Sequence, residues 1–214
     1  MATLEEKLEY SYAELGVSEH NRGSINAFLA VIRQKDIPTY EHSVRVGLLS
    51  RRIAQHMHLD QNALFYAGTL HDVGKALIEP EILKKTEKFD ERDMEQMRKH
   101  VEYSYQLLRG VHEFSAEIAL RHHMFQEKGY PKRLPKPKVP YSGNTQIMIN
   151  FYARLLSLAD FYDALTTRNN DKHGEKRKIG AIEAKQIMLD KNRDQKYLIE
   201  ELYKIGIFRQ ELAA

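Results

Sequence analysis

The chain has 214 residues, a hydrophobic fraction of 42%, a charged fraction of 29% and a formal net charge of +3. These are the proportions of an ordinary soluble protein long enough to bury a core, and so small a net charge gives no reason to expect a DNA or RNA duplex as partner. There is no cysteine, which excludes disulfides and thiolate metal sites and leaves histidine, aspartate and glutamate as the strong metal ligands. The start Met1-Ala2-Thr3-Leu4-Glu5-Glu6-Lys7 is charged and lacks an apolar signal segment. The longest apolar stretch, Ile25 to Ile32, is far short of the ~20 residues that span a bilayer. The expectation is a soluble, cytoplasmic protein with no membrane partner.

Along the chain the apolar spacing is helical. Leu4, Leu8, Tyr12 and Leu15 recur every three or four residues, as do Ile25, Phe28, Leu29 and Ile32. Pro38 and Thr39 open a segment continued by Val44, Val46, Leu48, Leu49 and Ile53. Asp60 suits the N-cap of a helix over Asn62 to Leu70. Asp90 suits the cap of one from Glu91 to Arg109, stopped by Gly110. Glu113 to Phe125 predicts another helix.

Gly129-Tyr130-Pro131, together with Pro135, Pro137 and Pro140, then forbids regular helix. Helix resumes over Ile147 to Thr167, Arg168 to Lys178 predicts a polar loop, and Ala181 to Leu189 and Gln195 to Ile205 predict two closing helices. No strand pattern and no repeat occurs. The predicted fold is all-α, eight or nine helices with a long proline-rich loop between residues 126 and 146.

The chemistry lies in the histidines and buried acids. Of ten histidines, five positions stand out. His42 falls inside a helix with Arg45 nearby. His71-Asp72 closes another, His100 is mid-helix, and His122-His123 are adjacent near a helix end. Asp160 sits in the apolar run Leu155 to Tyr162, where an unpaired aspartate is costly. Asp160 and Asp163 are three apart and can share a helix face, one binding metal while the other orients a ligand. Taken singly, each of these residues is more often a surface or hydrogen-bonded core group, and His20, His56, His58, His112 and His173 are read that way. Taken together, His42, His71, Asp72, His100, His122, His123 and Asp160 suffice for two divalent ions sharing a carboxylate, an arrangement suited to phosphate-ester hydrolysis.

The order of these residues resembles the HD superfamily of metal-dependent phosphohydrolases, and within it the HD-GYP branch. His71-Asp72-Val73-Gly74-Lys75 resembles HDxGK. His122-His123 with Gly129-Tyr130-Pro131 resembles HHExxxGxGYP, and Ala153 to Thr166 resembles ARIlxvADxxDALT. The likeness spans residues 38 to 168. It implies a cyclic di-GMP phosphodiesterase releasing linear dinucleotide or GMP, with two iron or manganese ions. In that likeness Asp72 bridges the ions. His42, His71 and Asp160 hold one, and His100, His122 and His123 hold the other. Lys75 faces the scissile phosphate, Asp163 supports from behind, and Gly129, Tyr130 and Pro131 form a rim that contacts a diguanylate cyclase domain.

The chain departs from the pattern in four places. Met124 replaces the glutamate after the paired histidines, and a thioether is a poor ligand for hard ions. Pro38 stands where members with three ions carry a glutamate, favouring two. Arg133 to Lys138 replaces a short linker. Arg168 and Lys172 stand in for the basic residues that grip substrate phosphates. The domain is expected over residues 36–205, after a helical extension over 1–35 that packs on the core or pairs two subunits. Two alternatives remain: another nucleotide as substrate, or a non-catalytic module that binds a nucleotide or a partner.

Overall fold

The computed structural model describes residues 2–137, 140–168 and 177–208. Among them the regular structure is entirely helical: α1 Leu4–Glu14, α2 Glu19–Lys35, α3 Ile37–His56, α4 Gln61–Leu70, α5 Pro80–Leu83, α6 Glu91–Arg98, α7 His100–Leu108, α8 Glu113–Arg121, α9 Gly143–Thr167, α10 Ala181–Lys191 and α11 Lys196–Lys204. Single turns of 3-10 helix cover Val73–Leu77 and Arg193–Gln195.

Helix starts follow side-chain capping, which supplies an acceptor to an otherwise orphaned amide. Ser18, Asp36, Asp60, Asp90 and Ser142 each accept from the amide three residues on. For α3 the cap is Asp36, and Pro38 in the first turn presets the helical backbone.

The centre of the molecule is α3, α4, α8 and α9. Val46, Leu49 and Ile53 of α3 meet Leu64 and Ala67 of α4, Ile118 of α8, and Ala153 to Ala159 of α9 in one apolar cluster, closed by α10 and α11. The first 35 residues are not detached from it. Leu8, Tyr12, Ile25, Leu29 and Ile32 bury against Tyr40, Val44 and Leu48 of α3 and Phe65 of α4.

Three boundaries differ from the sequence expectation. The helix over Glu91 to Arg109 is interrupted at Lys99, dividing it into α6 and α7. The helix from Glu113 stops at Arg121 instead of Phe125, and α9 begins at Gly143, capped by Ser142. With the short α5, the division at Lys99 raises the helix count among the described residues above eight or nine. The first two breaks have one cause. The His100 ring takes the Met97 carbonyl at 2.7 Å and the His122 ring takes the Ala119 carbonyl at 2.6 Å. Each ring occupies an acceptor near a helix end.

Candidate metal centre

The seven predicted ligands come from five segments and meet at one point. His42 projects from the second turn of α3, His71 and Asp72 follow α4, His100 opens α7, His122 and His123 follow α8, and Asp160 lies on α9. Gly74 is what lets the turn after Asp72 lie against α7. A Cβ there would stand 2.1 Å from the His100 carbonyl and 2.4 Å from the Ser104 nitrogen. In the space so gained, Gly74 N donates to Ser104 Oγ at 2.8 Å, and that hydroxyl donates to the His71 carbonyl at 2.7 Å.

Asp72 lies in the middle. Its Oδ2 is 3.3 Å from His71 Nε2 and 3.5 Å from His42 Nε2, and its Oδ1 is 3.3 Å from His100 Nε2. Asp160 Oδ1 is 3.0 Å from His42 Nε2, and Oδ2 is 3.9 Å from His123 Nδ1. His42, His71, Asp72, His100 and His122 are at most 1% exposed, and Asp160 is 6% exposed.

The tautomers follow from the partners. Nδ1 of His71, His100 and His122 each faces a backbone carbonyl, at 2.7, 2.7 and 2.6 Å. A carbonyl only accepts, so each Nδ1 carries the hydrogen and each Nε2 presents a lone pair. His42 does the same with Asp163: its Nδ1 donates to Oδ2 at 2.7 Å. Arg45 grips that carboxylate with two donors, Nε to Oδ1 at 2.7 Å and Nη2 to Oδ2 at 3.1 Å. The Nε2 atoms of His42, His71 and His100 therefore face carboxylate oxygens, His42 Nε2 within hydrogen-bond distance of Asp160 Oδ1. His71 Nε2, His100 Nε2, His122 Nε2 and Asp72 Oδ1 are buried with no hydrogen-bond partner.

Bare acceptors converging on one another in a dry interior are stable only around cations, so these residues fit divalent metal. Three groups can each surround one ion, with ligand atoms within 4.8 Å of one another: His42, His71 and Asp160; His100, His122 and His123; and His71, Asp72 and His122. The first two share no member. The third draws one residue from each and adds Asp72.

Burial alone would raise the Asp72 carboxyl, but His71, Lys75 and His100 outweigh it and hold the group well below the usual carboxylate range. Asp160 is held down in the same way, against burial, by His42, His71 and His123. Burial pushes His100 down to about 3 and His122 down to about 4. Lys75 is only 11% exposed and its ammonium donates to Asp72 Oδ2, so its charge points into the centre.

Gly129 closes a tight turn, where a Cβ would stand 2.3 Å from the Met124 carbonyl. The turn lays the Tyr130 ring on His123, centroids 4.7 Å apart, and beside His100 at 6.1 Å. Tyr130 thus covers the second ligand group directly. Burial, Asp160 and Asp72 push its phenol well above the ordinary value, and Arg98 and Arg168 act in the opposite sense. Met124, in place of the glutamate of the family pattern, is 39% exposed. Lys172 lies outside the described residues.

Three contributors were not singled out in the sequence: Ser104 ties the turn to α7, Gln126 meets His123 Nδ1 at 2.7 Å through its amide, and Arg98 stands over Tyr130. Arg45, noted in the sequence beside His42, fixes Asp163.

An all-helical domain with imidazoles and carboxylates gathered at one buried point has the donor set of a metal-dependent hydrolase. The model of the HD domain family matches residues 39–165, and the chain belongs to that family. It is similar to a Thermotoga maritima protein named cyclic di-GMP phosphodiesterase, with 31% identity over 147 residues, 65% of this chain and 37% of that protein. It is also similar to the Vibrio cholerae protein named 3'3'-cGAMP-specific phosphodiesterase 2, with 34% identity over 142 residues, 63% of this chain and 25% of that protein. The chain thus spans well under half the length of these relatives. Among solved structures, the HD domain of the L. monocytogenes phosphodiesterase PgpH, in complex with cyclic-di-AMP, has the same fold, with a TM-score of 0.51 and 17% identity over 86% of each chain. Among the described residues no helix is long and apolar enough to cross a membrane.

Proposed function

We propose that this chain is a phosphodiesterase of the HD-GYP type, hydrolysing a cyclic dinucleotide at a pair of divalent ions, iron or manganese. The observation that carries the reading is the set of bare, buried Nε2 atoms around Asp72. His42, His71 and Asp160 would hold one ion, His100, His122 and His123 the other, and Asp72 would bridge them. When bound, such ions activate water and neutralise charge building on the phosphate oxygens. The protein does the rest. Asp163 and the backbone carbonyls hold His42, His71, His100 and His122 in their ligating tautomers. Lys75 supplies a fixed positive charge beside the bridge, where charge develops during cleavage. Tyr130 and the buried walls exclude bulk water. Pro38 lies in the first turn of α3 and offers no donor, which favours two ions over three.

Substrate choice is between cyclic di-GMP and 3'3'-cGAMP, the nucleotides named for the two relatives. Incubation of the iron- or manganese-loaded protein with each nucleotide, followed by chromatography, should yield linear dinucleotide, such as pGpG, or mononucleotide. Asp72→Ala should abolish turnover, and undiminished turnover in that variant would overturn the mechanism.

A further inference from the structure

Arg98 ends α6 two residues before His100, in a position the sequence did not mark. Its guanidinium carbon lies 5.7 Å from the centroid of the Tyr130 ring, a distance at which the aromatic face holds a cation. Its Nε is shielded from solvent and has no hydrogen-bond partner, and no carboxylate forms an ion pair with it among the described residues. The charge is then left for the terminal nitrogens of the guanidinium to satisfy. Tyr130 contacts Arg98 at 5.7 Å and also His123 and His100 at 4.7 and 6.1 Å, so the guanidinium and the second ligand group share one aromatic neighbour. Lys75 lies against Asp72. The centre therefore has one cation at its middle, Lys75, and cations along its rim at Tyr130, where Arg98 lies over the ring and Arg168 also acts on the phenol.

A cyclic dinucleotide has matching chemistry: two phosphodiesters on one macrocycle, of which one is cut at a time. A guanidinium fork binds phosphate oxygens through paired, charge-assisted hydrogen bonds, and stacking on Tyr130 presents that fork already oriented. We propose that Arg98 is a substrate-binding residue that takes the second phosphodiester of the cyclic dinucleotide, the one not being cleaved. This rests on the phosphodiesterase reading above and adds to it the residue that distinguishes a substrate with two phosphates from one with a single phosphate.

The test compares cyclic di-GMP and 3'3'-cGAMP with bis(4-nitrophenyl) phosphate, a diester with one phosphate, on the metal-loaded wild type, Arg98→Met and Arg98→Lys. For the better dinucleotide, the ratio of its kcat/KM to that of the simple diester should fall at least about tenfold in Arg98→Met, the scale of a lost charged hydrogen bond. The fall should be carried by KM, and Arg98→Lys should lie between. Parallel losses on the dinucleotide and the simple diester, loss of bound metal in Arg98→Met, or an unchanged ratio would each overturn the assignment. A wild type that cleaves the simple diester but neither dinucleotide would overturn the proposed function, and the assignment with it.

Discussion

Every imidazole with a bare Nε2 has its Nδ1 hydrogen committed elsewhere. His71, His100 and His122 donate to carbonyls three residues back in sequence, so the helix end that exposes the ring also fixes its tautomer. His42 has no such carbonyl and depends on a long-range partner, Asp163, held in turn by Arg45. Asp163→Asn keeps the shape but removes the charge, and it should weaken metal binding on the order of 10- to 100-fold, read by competition with a chromogenic chelator. Unchanged affinity would mean that His42 needs no orienting charge.

Protonation gives a second expectation at this scale. Burial lowers His100 to about 3 and His122 to about 4 from an ordinary 6.5. At His100 and His122 the unfolded chain therefore takes up protons first as pH falls below 6.5, and stability declines from there toward the folded values; His71, which Asp72 and Asp160 hold up at about 9 against burial, is already charged in both states below 6.5 and does not offset that loss. Chelator-treated protein should unfold at lower denaturant concentration at pH 5 than at pH 7. The ligands themselves were legible in the sequence because their residue types and order are unusual together. Arg98, Gln126 and Ser104 were not, because an arginine, a glutamine or a serine on a helix or turn has no local signature. Their roles exist only once α6, α7 and the 122–131 segment are packed.

At the scale of elements, the centre is assembled by close approaches. The turn after His71-Asp72 reaches α7 only because Gly74 lacks a side chain. Gly74→Ala would place a Cβ 2.1 Å from the His100 carbonyl. Relief of that clash must move either the turn or α7. The substitution should cost about 1–3 kcal/mol, as overpacking does, and should weaken metal binding as well, because His100 and Asp72 separate. Denaturant unfolding together with chelator competition measures both, and a stable variant with full affinity would contradict the packing account. Helices were legible from apolar periodicity, and the caps at Asp60 and Asp90 formed where expected. The ends at Arg98 and Arg121 were not, because they are set by histidine rings competing for backbone carbonyls, and periodicity carries no information about that. The start of α9 was missed for a different reason: Gly143 and Asn144 suggest a turn, but Ser142 caps the helix ahead of them.

For the whole molecule, the all-helical class was legible, and so was the order of the site residues. The way the first 35 residues pack was not. Leu8, Tyr12, Ile25, Leu29 and Ile32 form an apolar stripe that suits either the core or a second subunit, and in the folded chain it meets α3 and α4. These helices brace the outer face of α3, whose inner face carries His42. The molecule is thus a helical frame whose five segments bring imidazoles and carboxylates to one buried point.

The central claim is that this point holds two divalent ions. Elemental analysis of the purified protein after loading with iron or manganese and removal of excess metal tests it most directly. Two ions per chain, lost in Asp72→Ala, is the predicted result. A protein that folds but retains none, or that retains two after Asp72 is removed, would contradict it.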